Sequence, residues 1–70
     1  MEKEIEVYII KKIQEIKIHL EGIVVCRGVI SVKLTQEEKE GVKGELSAIK
    51  TNVRIINDEL EDIMRKLQET

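Results

Sequence analysis

The sequence has no tryptophan or phenylalanine, and it has one tyrosine and one cysteine among its 70 residues. With so few aromatic rings, the chain lacks the platform on which nucleotide bases usually stack. A single cysteine, Cys26, excludes an intrachain disulfide, and no group of residues has the spacing of zinc ligands. We therefore predict neither a cofactor nor a metal site.

Long uncharged apolar runs and a strong net charge are also missing. No run approaches the roughly 20 residues that span a bilayer, and 12 Lys and Arg stand against 14 Asp and Glu. Scattered charge of both signs favours neither a membrane surface nor bulk attraction to nucleic acid. Residues 1–10 lack the pattern of a signal peptide, and a lone thiol suits a reducing compartment. These features predict a soluble cytoplasmic protein.

Catalytic constellations are absent as well. His19 is the single histidine, and no motif places a serine or carboxylate beside it. Cys26 stands among valines and isoleucines, where a cysteine is usually a small buried hydrophobe. Gly41 and Gly44 lack the lysine and hydroxyl residue of a phosphate-binding loop. The sequence therefore predicts a protein that is not an enzyme.

The strongest pattern that is present runs from Val42 to Leu67. Apolar residues recur there at alternating spacings of four and three, the heptad pattern of helices that wrap around partner helices. We predict that this row forms an oligomer interface. It comprises Val42, Leu46, Ile49, Val53, Ile56, Leu60, Ile63 and Leu67.

A first helix is predicted over residues 2–20, which contain no glycine, proline, asparagine, aspartate or serine to interrupt it. Its main apolar stripe runs from Ile5 to Leu20. Val7, Ile10 and Ile18 lie off that stripe, so the helix is apolar on more than one side. We predict that these three residues form a partner surface.

The segment between the helices favours β structure. Residues 22–34 contain two runs rich in valine and isoleucine, separated by Arg27 and Gly28, which predicts a short β-hairpin or strand. Thr35 and Glu38 match a capping box at the start of a second helix over residues 36–68. That helix is expected either to continue through Gly41 and Gly44 or to break near 41–44.

These elements predict a single, mainly α domain, a two-helix hairpin with the β connection between its helices. A core of this size supplies about 3–5 kcal/mol, so small domains usually need a further staple. The first helix is also too short to cover the whole heptad row. We therefore predict a homo-oligomer, a dimer or tetramer assembled as a helical bundle or coiled coil, which regulates or inhibits a protein partner through its helical surfaces.

A second interpretation rests on residues 30–38, which resemble the start of a ribbon-helix-helix repressor. The resemblance implies a strand that enters the DNA major groove, with Ser31, Lys33 and Thr35 facing base edges. It covers about half of the chain. The first helix of that family begins with apolar contacts, whereas this sequence has charged residues at 37–40.

A third interpretation is an oligomer that sequesters a small anionic or nucleotide ligand. Arg27, Lys33 and Arg54 from several subunits would then line the ligand pocket. The composition, rich in isoleucine, lysine and glutamate, is also common among small phage and mobile-element proteins, although composition alone establishes no origin.

Overall fold

The computed structural model describes residues 1–69 and contains two long helices joined by a tight turn. Helix α1 spans Lys3–Thr35, and helix α2 spans Lys39–Gln68. The two helices pack antiparallel against each other and form a rod with extents of 52 × 14 × 9 Å. The predicted two-helix hairpin is confirmed.

The predicted β connection at residues 22–34 is wrong. These residues form the second half of α1, which continues past Leu20 to a length of 33 residues, and residues 1–69 contain no strand. Valine and isoleucine favour strands, but packing against a neighbouring element overrides this preference. Here that element is α2, against which residues 22–34 continue the helical periodicity of residues 5–20.

One row of α1 faces α2 along the whole hairpin, and we call it the α1 seam. It consists of Ile5, Ile9, Lys12, Ile16, His19, Ile23, Cys26, Ile30 and Lys33. The alternating spacing of four and three residues is the heptad pattern of paired helices. Ile5 and Cys26 are the best buried residues of the described chain, with 8% and 9% of their surface exposed.

Only half of the apolar row predicted on α2 faces α1. Val42, Ile49, Ile56 and Ile63 are partly buried there, whereas the alternate members remain exposed. The exposed members are Leu46, Val53, Leu60 and Leu67. Polar residues occupy the second position of the α2 seam. These are Glu45, Asn52, Glu59 and Lys66. The helix begins at Lys39 rather than at residue 36 and runs unbroken through positions 41–44.

The residues between the helices form the C-terminal cap of α1 and do not cap the start of α2. The Glu38 amide bonds to the Lys33 carbonyl at 3.0 Å, and the Glu37 amide bonds to the Leu34 carbonyl at 3.2 Å. These paired bonds form a Schellman motif at the end of α1. The predicted capping box is wrong, because Thr35 is the last residue of α1 and no side chain caps the start of α2.

Glu37 provides a test of this turn, because its φ of 57° lies in the left-handed region that disfavours residues with a Cβ. We expect Glu37→Gly to raise the free energy of unfolding by about 0.5–1 kcal/mol, since glycine adopts this conformation without steric cost. Urea unfolding followed by circular dichroism measures the change. Glu38→Gly is the matched control, because Glu38 has a φ of −87°, and it should lower stability. A loss of stability in Glu37→Gly would contradict the motif.

Candidate interaction surfaces

Charged side chains of the two seams meet in pairs that align α1 with α2. Lys12 Nζ lies 3.2 Å from Glu59 Oε2, and Lys33 Nζ lies 4.0 Å from Glu45 Oε1. The Glu59 oxygen is shielded from solvent, and no described residue gives it a hydrogen bond of good geometry, so the Lys12 ammonium supplies its counter-charge. A shielded carboxylate without a counter-charge is costly, so this contact opposes sliding of the helices.

A hydrogen-bonded pair, His19 and Asn52, stands between these two ion pairs along the seam. His19 Nδ1 lies 2.8 Å from Asn52 Oδ1, while Asn52 Nδ2 donates to the Ala48 carbonyl at 3.0 Å. Because the Asn52 amide already donates within its own helix, its oxygen is left as the acceptor for His19. The His19 ring must therefore carry its proton on Nδ1 to make this bond.

The seam shifts the pKa of two of its groups. The close contact with the Glu59 carboxylate is the main cause that raises the pKa of Lys12 above its ordinary value of 10.5. Removal from water is the main cause that raises the pKa of Cys26 above 9.0, and the neighbouring Glu45 adds to it. Cys26 is therefore a neutral thiol at physiological pH, and the thiolate that acts as a nucleophile is disfavoured.

The sequence interpretation missed these polar pairs. Their signal is a recurrence at every seventh residue. On α1 the recurring set is Lys12, His19, Cys26 and Lys33, and on α2 it is Glu45, Asn52, Glu59 and Lys66. Two such rows of complementary polar residues indicate which face of each helix meets the other in an antiparallel pair.

One side of the hairpin carries an apolar strip that we call the groove face. Each helix has one row of residues beside the polar seam positions and another beside the apolar seam positions. The rows beside the polar positions meet on the side of the hairpin away from the groove face, where the centre of the Tyr8 ring lies 5.4 Å from both Lys12 Nζ and Lys66 Nζ. The rows beside the apolar positions therefore meet on the groove face. The groove face consists of Ile13, Leu20 and Leu34 from α1 with Leu46, Val53 and Leu60 from α2, all 43–60% exposed.

A second apolar surface lies on the side of α1 that points away from α2, and we call it the outer face. Its members lie within about 60° of the direction opposite the α1 seam, at 100° per residue. They are 55–66% exposed and comprise Val7, Ile10, Ile18, Val24, Val25 and Val32. The three residues predicted as a partner surface thus belong to one larger exposed surface.

The candidate contacts for nucleic acid or anions do not converge. Ser31 and Thr35 hydrogen-bond to carbonyls of their own helix, and Lys33 points into the seam. Because Asn52 pairs with His19, Arg54 lies on α2 at the level of about residue 17 of α1, about 15 Å along the axis from Arg27. The strand that the ribbon-helix-helix resemblance implies is not formed, because residues 30–35 belong to α1.

No other kind of site stands out in the described chain. Within residues 1–69, histidine, cysteine and acidic side chains do not group into a metal-binding set of three or more. Neither α1 nor α2 is apolar enough over a sufficient length to cross a membrane. Comparison with models of protein families, with characterised proteins and with solved structures finds no match to this chain. The apolar faces are therefore the candidate functional surfaces.

The His19–Asn52 pair can be tested with a double-mutant cycle. We expect His19→Leu and Asn52→Leu each to destabilise the hairpin, because each leaves a partly buried polar group without its partner. The double variant should be more stable than the sum of the single losses predicts, by about 1 kcal/mol of coupling. Chemical denaturation of the four proteins measures the cycle. Strict additivity would contradict the contact.

The Lys12–Glu59 pair predicts a pH dependence. Because the folded protein raises the pKa of Lys12, the contribution of the ammonium to stability is complete below pH 10.5 and is lost as pH rises through the folded-state pKa. The stability advantage of wild type over Lys12→Met should therefore shrink at high pH. Lys11→Met is the control, since Lys11 is exposed and makes no ion pair within residues 1–69. Urea titrations at several alkaline pH values decide the matter, and parallel curves for the two variants would contradict the contact.

Proposed function

We propose that this protein is a non-enzymatic interaction protein, a helical hairpin that assembles into homo-oligomers and regulates or inhibits a protein partner. The observation that carries the proposal is the amount of apolar surface that packing between α1 and α2 leaves uncovered. The groove face and the outer face each present side chains that a lone hairpin cannot bury. Exposed apolar side chains in this number mark interaction sites in soluble proteins.

The total surface supports assembly. The chain exposes 5497 Å², whereas a folded monomer of 8.1 kDa exposes about 4,500 Å². The excess of about 1,000 Å² is close to the roughly 800 Å² that each partner buries in a protein–protein interface of standard size. One or two further helices against the hairpin would bring its surface into the normal range.

The two helices differ in a way that also supports assembly. α2 has a wide polar side, and beyond its groove-face row its other large exposed apolar residues are Met64 and Leu67. α1 carries apolar side chains on nearly every side, and such a helix normally lies inside an assembly. We propose that the groove face binds a second copy in a bundle of hairpins, while the outer face binds a protein chain.

Neither of the other two functions has a contact in residues 1–69 that favours it. DNA binding would need a different use of Ser31, Lys33 and Thr35 from the helical one described above. Sequestration of an anion would need Arg27 and Arg54 to be brought together by separate subunits. Absorbance at 260 nm tests both, since a protein with one tyrosine and no tryptophan absorbs weakly and bound nucleotide would dominate its spectrum.

The outer face can be tested by adding charge to it. We expect Val7→Lys/Ile18→Lys to reduce the mass of the wild-type assembly measured by size-exclusion chromatography with light scattering, because lysine cannot be buried at an apolar contact. Helicity should persist, since both residues are exposed. The control is Asn57→Lys/Gln68→Lys, which adds the same charge to exposed polar positions of α2. An unchanged mass in the Val7/Ile18 variant would contradict a role for the outer face in the assembly.

A further inference from the structure

We propose that the protein chain bound by the outer face is α1 of a second copy, packed antiparallel along its whole length. The inference rests on the proposed function, because it names the occupant of that surface. Three observations support it. Gly28 has no contact inside the hairpin that calls for a glycine, and Lys17 and Glu21 make no ion pair there. When two copies of α1 overlap completely, Gly28 lies opposite Ile10 and Lys17 lies opposite Glu21.

Gly28 is the first observation. It stands in the second half of α1 on the side away from α2, and a Cβ built there would meet no atom within 4 Å. Glycine weakens an exposed helix interior relative to alanine, so its presence calls for a reason. Gly22 and Gly41 have such reasons in the hairpin, because they face the side chains of Asn52 and Lys33. Gly44 also meets nothing within 4 Å, but it stands on the polar side of α2. Gly28 stands on the apolar outer face, where a second helix that approaches closely would supply the reason for it.

Complete antiparallel overlap places an isoleucine at that glycine. Because α1 runs from Lys3 to Thr35, its midpoint is His19, and pairing about that midpoint sets Ile10 opposite Gly28. The twofold axis of an isologous dimer repeats this contact. Ile10 is an exposed member of the outer face, and the space left by the missing Cβ accommodates its side chain.

The same alignment pairs two charges of opposite sign. Lys17 comes to lie opposite Glu21, on the same side of α1 as Ile10 and Gly28, and the symmetry again gives two such contacts. Both residues are exposed, and within the described hairpin neither of them takes part in an ion pair. Charges that are complementary across a surface favour one partner and one alignment.

Self-pairing of this kind also regulates access to the outer face. A different protein that binds there must displace the second copy, so its binding depends on the concentration of the hairpin. The assembled form is then the closed state, and the free hairpin is the form that can bind another chain.

Charge reversal in trans tests the alignment. Lys17→Glu and Glu21→Lys each create two like-charge contacts in a homodimer, so each should weaken self-association roughly tenfold. Mixing the two variants should restore association to within about threefold of wild type, because the mixed dimer has opposite charges at both contacts. Effects within one helix cannot produce this recovery, since mixing changes no sequence. Sedimentation equilibrium of each variant and of the mixture measures it.

A steric pair provides the second test. Gly28→Leu should reduce the assembly by one step in mass, from tetramer to dimer or from dimer to monomer, because the side chain fills the space assigned to Ile10. Gly44→Leu is the matched control, since Gly44 is also exposed inside a helix with nothing within 4 Å of a Cβ, and it should leave the mass unchanged.

Two results would overturn the inference. One is a mixture of the charge variants that associates no better than either variant alone, and the other is a Gly28→Leu protein with the wild-type mass. If either occurs while Val7→Lys/Ile18→Lys still reduces the mass, the outer face binds a chain in another alignment and the proposed function stands. If none of these variants changes the mass, the outer face takes no part in self-assembly, so the inference fails, and the groove face alone remains as the assembly surface of the proposed function.

Discussion

The hairpin depends on the polar contacts that recur at every seventh residue of its seam. The apolar positions alone would not define one alignment, because Ile9, Ile16, Ile23 and Ile30 are identical and their partners on α2 are nearly so. Sliding α1 by one heptad in one direction would set Lys12 against Lys66, and in the other direction it would set Lys12 against Asn52. Both shifts separate Glu59 from its counter-charge. Polar residues at seam positions specify alignment in this way at the expense of stability.

That expense explains why so much apolar surface remains outside. Half of the seam positions hold polar or weakly apolar residues, so the buried core of the hairpin consists of isolated apolar layers, and few residues are deeply buried. A hairpin of this kind is precise in its pairing but has a thin core. Many of the remaining apolar side chains stand on the groove face and the outer face instead of in the core. Covering them with further helices adds stability without altering the alignment set by the seam.

The sequence was sufficient to predict the two-helix hairpin and the heptad row on α2, because strict periodicity over 26 residues leaves few other structures. It was not sufficient to show that the row would divide between α1 and the surface. That division depends on which of two neighbouring rows faces α1, and Asn52 and Glu59 decide it through His19 and Lys12. The recurrence of polar residues at every seventh position is visible in the sequence. It indicates the contacting face only when the rows of both helices are compared with each other.

The wrong predictions of a β connection and of a capping box share a cause. Both relied on local sequence preferences at positions where packing between α1 and α2 determines the structure. The β-branched residues of 22–34 favour strands locally, yet the seam continues through Ile23, Cys26 and Ile30 without a change of phase. At the turn, Thr35 and Glu38 match a capping box, and the glycine that usually ends a helix is absent. Glu37 takes the left-handed conformation instead. Because glutamate rarely occupies that position, the residue types at the turn did not indicate that α1 ends there.

The unequal helices indicate how such a thin hairpin would be used. If α1 lies between α2 and a further helix, its apolar residues are covered on both sides, and the polar side of α2 forms the outside of the assembly. The interactions that complete the core are then intermolecular, so stability rises with protein concentration. A helix from another protein needs only a modest advantage in affinity to shift the balance between free and assembled hairpins, which is the property that a regulator requires.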